Sequence, residues 1–368
     1  MEKVRAFLAR KNITFSAKRY FIDAMSAMAQ GLFCTLLVGT ILDTIGKQFG
    51  IGFLTDTFLT IKQGDVTFYY TIGGFCSLMV GPAMAVAIGK ALEAPPLVLF
   101  SLITVGFATN VLGGTGGPLA VFFVAILAAE VGKAISKETK IDILVMPIVT
   151  ILAGIGFAAL VARPIGTAAT SVGDAIKWAT ELQPFFMGIL VSVIIGVALT
   201  LPISSAAICA ALGLTGLAGG AAVAGCCAQM VGFAIMSFRE NRWGGLAAQG
   251  LGTSMLQMGN IVRNPRIWIP PTLAAAITGP VATCLFRLEM NGAPVSSGMG
   301  TCGLVGQIGV YTGWVSDVAA GTKAAITGMD WLGLVLISFV LPAVLTWLIA
   351  IPLRKWGWIK DGDLKLDL

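Results

Sequence analysis

NIVRNPRIWIPPTLAAAITGPVATCLFRLEMNGAPVSSGMGTCGLVGQ, residues 260–307, is the stretch on which the reading of this chain turns. It opens with a polar, proline-broken lead-in made of Asn260, Arg263, Asn264, Pro265 and Arg266, then Pro270 and Pro271. An apolar segment follows, interrupted by Gly279-Pro280. Arg287, Glu289 and Asn291 then lead into a glycine-rich run that carries Gly298, Gly300, Gly303 and Gly306. In a water-soluble chain this would be loop. Here apolar segments flank it on both sides, which places much of it at membrane depth. Irregular backbone is tolerated there only where it is buried in protein or lines a wet cavity. In transporters such broken stretches mark the solute site.

The composition supports that setting. Of the 368 residues 57% are hydrophobic and 11% charged, with a mean hydropathy of +0.89. A globular domain carries about 25% charged residues, so the chain reads as an all-α membrane protein with no room for a sizeable soluble domain. No small-residue cleavage site follows the basic N-terminus, so no cleavable signal peptide is expected. The net charge of +6 sits in short clusters beside apolar segments, as the positive-inside rule expects. A nucleic-acid surface is not indicated. The seven cysteines form no CxxC pair, and the chain has no histidine. These features argue against a zinc site, a haem or a phosphohistidine. No metal, cofactor or catalytic residue is expected, and the cysteines read as small buried hydrophobes.

Residues 2–17 form a basic amphipathic stretch with Val4, Phe7, Leu8 and Ile13 as its apolar members, suited to the cytoplasmic membrane surface or to a solvated tail. Spans are expected at 20–45, 70–90, 96–111, 119–134, 141–162, 184–201, 219–238 and 331–353. Residues 46–68, with Lys47, Asp56, Lys62 and Asp65, read as loop or interfacial helix, and 164–183 as a separate amphipathic helix. Residues 202–217 are too short and too soft for a confident span and resemble a re-entrant hairpin. Residues 292–312 are a second candidate of that kind. Residues 244–259 read as a polar-faced helix carrying Gln249 and Gln257. Counting the soft segments gives about ten crossings, with about eight as the lower count. Basic flanks place both termini in the cytoplasm.

A pocket for a small polar solute needs several neutral hydrogen-bonding groups and a carboxylate in a wet cleft. Glu289, Asn291, Asn264, Asn260 and Gln257 supply such groups near the breaks, and Asn110 stands beside the break at 113–118. Gly298 and Gly300 would let backbone amides approach a ligand. Each has a plainer reading. Glu289 could pair with Arg287 at an interface, Asn264 could cap the helix that Pro265 starts, and Arg263 and Arg266 could serve orientation alone.

Three motifs carry a family resemblance: KRYFIDAMSAMAQGLFCTLLVGTIL at 18–42, NP followed by WIPP within 264–271, and GMGTCGLVGQ at 298–307. The chain resembles the stand-alone EIIC-type membrane proteins of the phosphotransferase-system sugar permease superfamily, and among them the PfoR-like group. The resemblance implies a single transmembrane domain over residues 1–368 with about ten helices and two re-entrant hairpins. It also implies a homodimer in the bacterial inner membrane, with a sugar pocket in each protomer. In such permeases a glutamate near the second hairpin and a histidine help to hold the sugar. Glu289 matches the glutamate by position, and the histidine has no counterpart here. No IIA or IIB domain is recognisable in the chain, so phosphotransfer would need separate IIA and IIB partner proteins. The leading expectation is a permease for a small polar, carbohydrate-derived solute. The alternative is a membrane-embedded sensor that binds a ligand without moving it.

Overall fold

The computed structural model describes residues 2–63 and 66–366. The chain forms two compact units, Met1–Ala169 and Thr170–Leu368. Among the described residues, seven helices are long and apolar enough to cross a membrane, or eight with one bent pair counted as a span. This is the lower of the two counts expected. The difference from ten lies in Pro184–Thr200, which has 17 residues, and in the soft segments, which form short helices instead of spans.

In the first unit the N-terminal helix is Glu2–Arg10, shorter than the amphipathic stretch of 2–17. It ends because Asn12 takes a left-handed φ of 54° and the Ile13 amide returns to the carbonyl of Leu8 at 2.9 Å. The first span, Lys18–Lys47, is continuous. Beyond it the expected loop or interfacial helix is instead a short helix, Gly52–Thr55, and an antiparallel hairpin of Leu59–Gln63 and Val66–Tyr70. Branched and aromatic residues dominate the hairpin sequence and favour strands. Asp65, read as part of that loop, lies outside the described residues.

Helices Ile72–Leu78 and Val80–Ala91 meet at a 49° bend. Pro96–Gly113 and Gly117–Ile135 are joined tightly by the 3-10 turn Gly114–Gly116. One correction concerns residues 141–183. They form a single helix, Asp142–Thr180, which runs through Pro147 and Pro164. A proline removes one helical hydrogen bond. Ending the helix in an apolar medium would orphan several backbone groups, each costing more.

The second unit is built around Gly216–Met236, of whose most apolar stretch 94% is buried. Pro184–Thr200, Pro265–Leu285 and Gly328–Lys355 pack around it. Glycine permits this closeness: a Cβ on Gly225 would lie 1.8 Å from the Ser192 carbonyl oxygen, and one on Gly220 1.7 Å from that of Leu288. Pro265–Leu285 is not interrupted at Gly279-Pro280. A wider π-helical turn, Val281–Leu285, follows the proline and absorbs its missing donor.

The stretch 244–259 is not one helix. Phe238–Ala247 gives way to the π turn Ala248–Gly252, extended Thr253, the 3-10 turn Ser254–Gln257 and the helix Met258–Arg263. The soft segment 202–217 holds the short helix Ser205–Ala211, capped by the Ser204 hydroxyl. It packs against the other soft segment: Ser205 Oγ donates to the Gly298 carbonyl at 2.8 Å, and Ser297 Oγ donates to that of Leu214 at 2.7 Å. After Leu304, itself left-handed, the helix Val305–Ala319 begins.

Candidate functional site

The second unit carries a cleft of about 470 Å³ whose walls include Arg287, Glu289, Asn291, Trp314, Asp317 and Lys323. Its first wall is the extended segment that leaves Pro265–Leu285. Met290 pairs reciprocally with Gly216, each amide 3.0 Å from the other's carbonyl, which fixes the strand at the start of the central buried helix. Its second wall is Val305–Ala319. Gly309 and Gly313 lie one helical turn apart on that helix and let the extended segment lie directly on it. A Cβ on Gly313 would come 2.7 Å from the Asn291 amide nitrogen, and one on Gly292 2.2 Å from the Gly309 carbonyl oxygen.

This contact places the Asn291 carboxamide between two carboxylates. Its Nδ2 donates to Asp317 Oδ2 at 2.8 Å and to Glu289 Oε2 at 3.3 Å. Its Oδ1 accepts from the Gly216 amide at 3.1 Å. Lys323 closes the far side, 2.8 Å from Asp330 and with its Nζ 5.8 Å from the ring centroid of Trp314. Asp330 is held in a reciprocal capping box with Thr327. Glu289 and Arg287 are exposed, and among the described residues no ion pair joins them. The cleft thus offers carboxylate acceptors oriented by an amide, two cations and an indole in its wall. That is the donor and acceptor mixture a polyhydroxylated solute requires.

Gln257, Asn260 and Asn264 lie elsewhere in the same unit and form a second constellation. Gln249 Nε2 donates to Ser237 Oγ at 2.8 Å, Gln257 Nε2 to Gln249 Oε1 at 2.9 Å, and Asn260 Nδ2 to Gln257 Oε1 at 2.8 Å. Each amide uses its second hydrogen on a backbone carbonyl: Gly245 for Gln249, Leu364 for Gln257 and Lys365 for Asn260. Asn264 caps the turn Pro265–Trp268 and donates to the Trp358 carbonyl and to Asp363. Asn241 grips the same C-terminal segment through Leu364 and Leu366. These side chains are therefore engaged in holding residues 358–366.

Gly298 and Gly300 sit against protein. A Cβ on Gly298 would lie 2.7 Å from the Ser205 backbone, and one on Gly300 2.6 Å from Cys226 Cβ. Asn110 belongs to the first unit, where it packs against Gly81 and Gly117. Among the described residues no group of three or more metal-ligating side chains could hold an ion.

Sequence reasoning missed Trp314, Asp317, Lys323 and Asp330. The available signal was the pair Gly309 and Gly313 ahead of them, a mark of a helix that another segment crosses closely. It also missed a buried network around Gln229, wholly buried on the central helix. Its Oε1 accepts from Trp268 Nε1 at 2.9 Å, its Nε2 donates to Thr272 at 3.2 Å, and Thr200 links it to Ser254.

Residues 22–366 match the model of a family described as "Phosphotransferase system, EIIC". No curated protein and no solved structure matches the chain.

Proposed function

This chain belongs to the EIIC family of the phosphotransferase system, and from that membership we propose that it carries a small, carbohydrate-derived solute by alternating access, with the Glu289–Asn291–Asp317 cleft as its binding site. The protein is a multi-pass membrane permease of this system. The observation that carries the site assignment is the Asn291 carboxamide, hydrogen-bonded to two carboxylates in an open cleft of about 470 Å³. Glu289 and Asp317 accept hydrogen bonds from solute hydroxyls. Arg287 and Lys323 donate to ring or carbonyl oxygens, while Asn291, both of whose hydrogens go to the carboxylates, orients Glu289 and Asp317. Charge-assisted bonds to the carboxylates give orientation and much of the affinity.

The functional unit in this reading is a homodimer in the bacterial cytoplasmic membrane, with both termini cytoplasmic and with separate IIA and IIB proteins supplying phosphate. Gln257, Asn260 and Asn264 serve the same permease by tethering the C-terminal segment.

The experiment is thermal denaturation of the detergent-purified protein against sugars, polyols, sugar acids and sugar phosphates, since a ligand bound only by the folded state raises the midpoint. A responding solute is then tested for uptake into proteoliposomes. Stabilisation by a sugar that Glu289→Gln weakens, together with uptake, is the expected result. Binding without uptake favours the ligand-sensing alternative. A response that Glu289→Gln and Asp317→Asn leave untouched removes this cleft from the site.

A further inference from the structure

The C-terminal ends of two candidate spans, Gly216–Met236 and Gly328–Lys355, leave a groove of about 590 Å³ between them. Its lower part is apolar, formed by Ile235, Trp347, Ala350 and Ile351, and Trp347 is 55% exposed. Its upper part carries Arg239, Arg354 and Lys355. Cations at such positions complement helix carbonyl ends, and here Arg354 bonds to one directly. It donates to the Met236 carbonyl at 2.9 Å and pairs with Glu240 at 3.3 Å and Asp361 at 3.1 Å. Arg239 and Lys355 are exposed and have no ion pair among the described residues. The groove is therefore amphipathic along its own length, apolar toward the span interiors and cationic at the helix ends.

We propose that this groove binds one anionic phospholipid, with its phosphodiester held by Arg239 and Lys355 and an acyl chain laid against Trp347 and Ile351. The occupant follows from the setting. Both walls are ends of membrane spans, so the apolar part faces lipid, and a cationic pocket between spans selects an anionic headgroup. The long side chains of Arg239 and Lys355 extend to headgroup level while their stems cover the apolar wall.

The test is thermal denaturation of the full chain in detergent titrated with phosphatidylglycerol, phosphatidylcholine or inorganic phosphate. Phosphatidylglycerol alone should raise the midpoint. The double variant R239Q/K355Q should need about thirtyfold more of it, the electrostatic share of two cations at a lipid surface. K140Q, which removes an exposed cation elsewhere, should respond as wild type. I351W fills the groove, leaves both cations in place and should also lose the response. An equal response to phosphatidylcholine, an equal response to inorganic phosphate, or wild-type titrations of R239Q/K355Q and I351W would each overturn the proposal.

Discussion

The side-chain nitrogen of Gln257 stands 3.0 Å from the carbonyl oxygen of Leu364, 107 residues further along the chain. That bond is one rung of a series in which Asn241, Gln257, Asn260 and Asn264 hold a C-terminal segment whose Ile359 and Leu364 are buried in the core. The segment is kept in place by these amides together with its two buried apolar side chains, and Gln257 and Asn260 also bond to one another.

Replacing Gln257 with Leu should therefore be felt at a distance. The substitution leaves Gln249 Oε1 without its donor and takes one acceptor from Asn260. Stability should fall by about 2 kcal/mol, the usual cost of orphaned buried polar groups. Hydrogen exchange of residues 358–366 should accelerate as well. An intact exchange pattern in a folded Gln257→Leu protein would mean that other contacts hold the tail.

Glu289→Gln tests the solute cleft with little structural disturbance, because Glu289 is exposed. The midpoint without solute should not move. Solute affinity should fall about tenfold, as expected when one charge-assisted hydrogen bond becomes a neutral one. Isothermal titration with a stabilising solute measures both affinities directly.

Gly313→Leu attacks the cleft from behind. Its Cβ would meet the Asn291 amide nitrogen at 2.7 Å, so the extended segment must lift and carry Asn291 away from Asp317. The expected cost is about 1–3 kcal/mol, with solute-induced stabilisation lost. Gly156→Ala is the control. A Cβ there meets nothing within 4 Å, and the change should leave the midpoint equal or slightly higher, since alanine is the better helix former.

The N-terminal helix should respond to acid. Lys11 and then Arg10, the latter at 2.6 Å, hold the Glu138 carboxyl below its ordinary value of 4.5. A depressed carboxylate contributes to docking only while ionised, so its share is complete above the ordinary value and is lost as pH falls through the lower folded one. Exchange protection of residues 6–12, corrected for intrinsic rates, should be flat from pH 8 to about 5 and drop below about 4.5. Glu138→Gln should show the acid pattern at every pH.

The membrane class and most of the span positions were legible in the sequence, because each rests on local composition. Apolar runs of spanning length need no partner to be recognised. Pro164 was misleading because its usual meaning belongs to water, where a broken helix can be solvated. Gln257, Asn260 and Asn264 were correctly seen as polar groups beside chain breaks. Their partners, however, are backbone atoms near residue 364, and no spacing announces a contact across that distance. The same holds for Asp317. It enters the cleft only because Gly309 and Gly313 let a segment cross its helix, a matter of pairing that one sequence does not display. Glu289 and Asn291 stood out because a carboxylate and an amide two residues apart, at the end of an apolar segment, are locally unusual.

The sheathing of Gly216–Met236 bears on how the protein is made. Of the three helices that cover it, Pro184–Thr200 emerges from the ribosome earlier, while Pro265–Leu285 and Gly328–Lys355 emerge later. For the interval in which those two are being synthesised, this helix has to reside in lipid without most of its cover. Gln229 then has Thr200 beside it but lacks Trp268 and Thr272, which do not yet exist. The span with the largest buried share in the finished molecule thus gains most of its cover last.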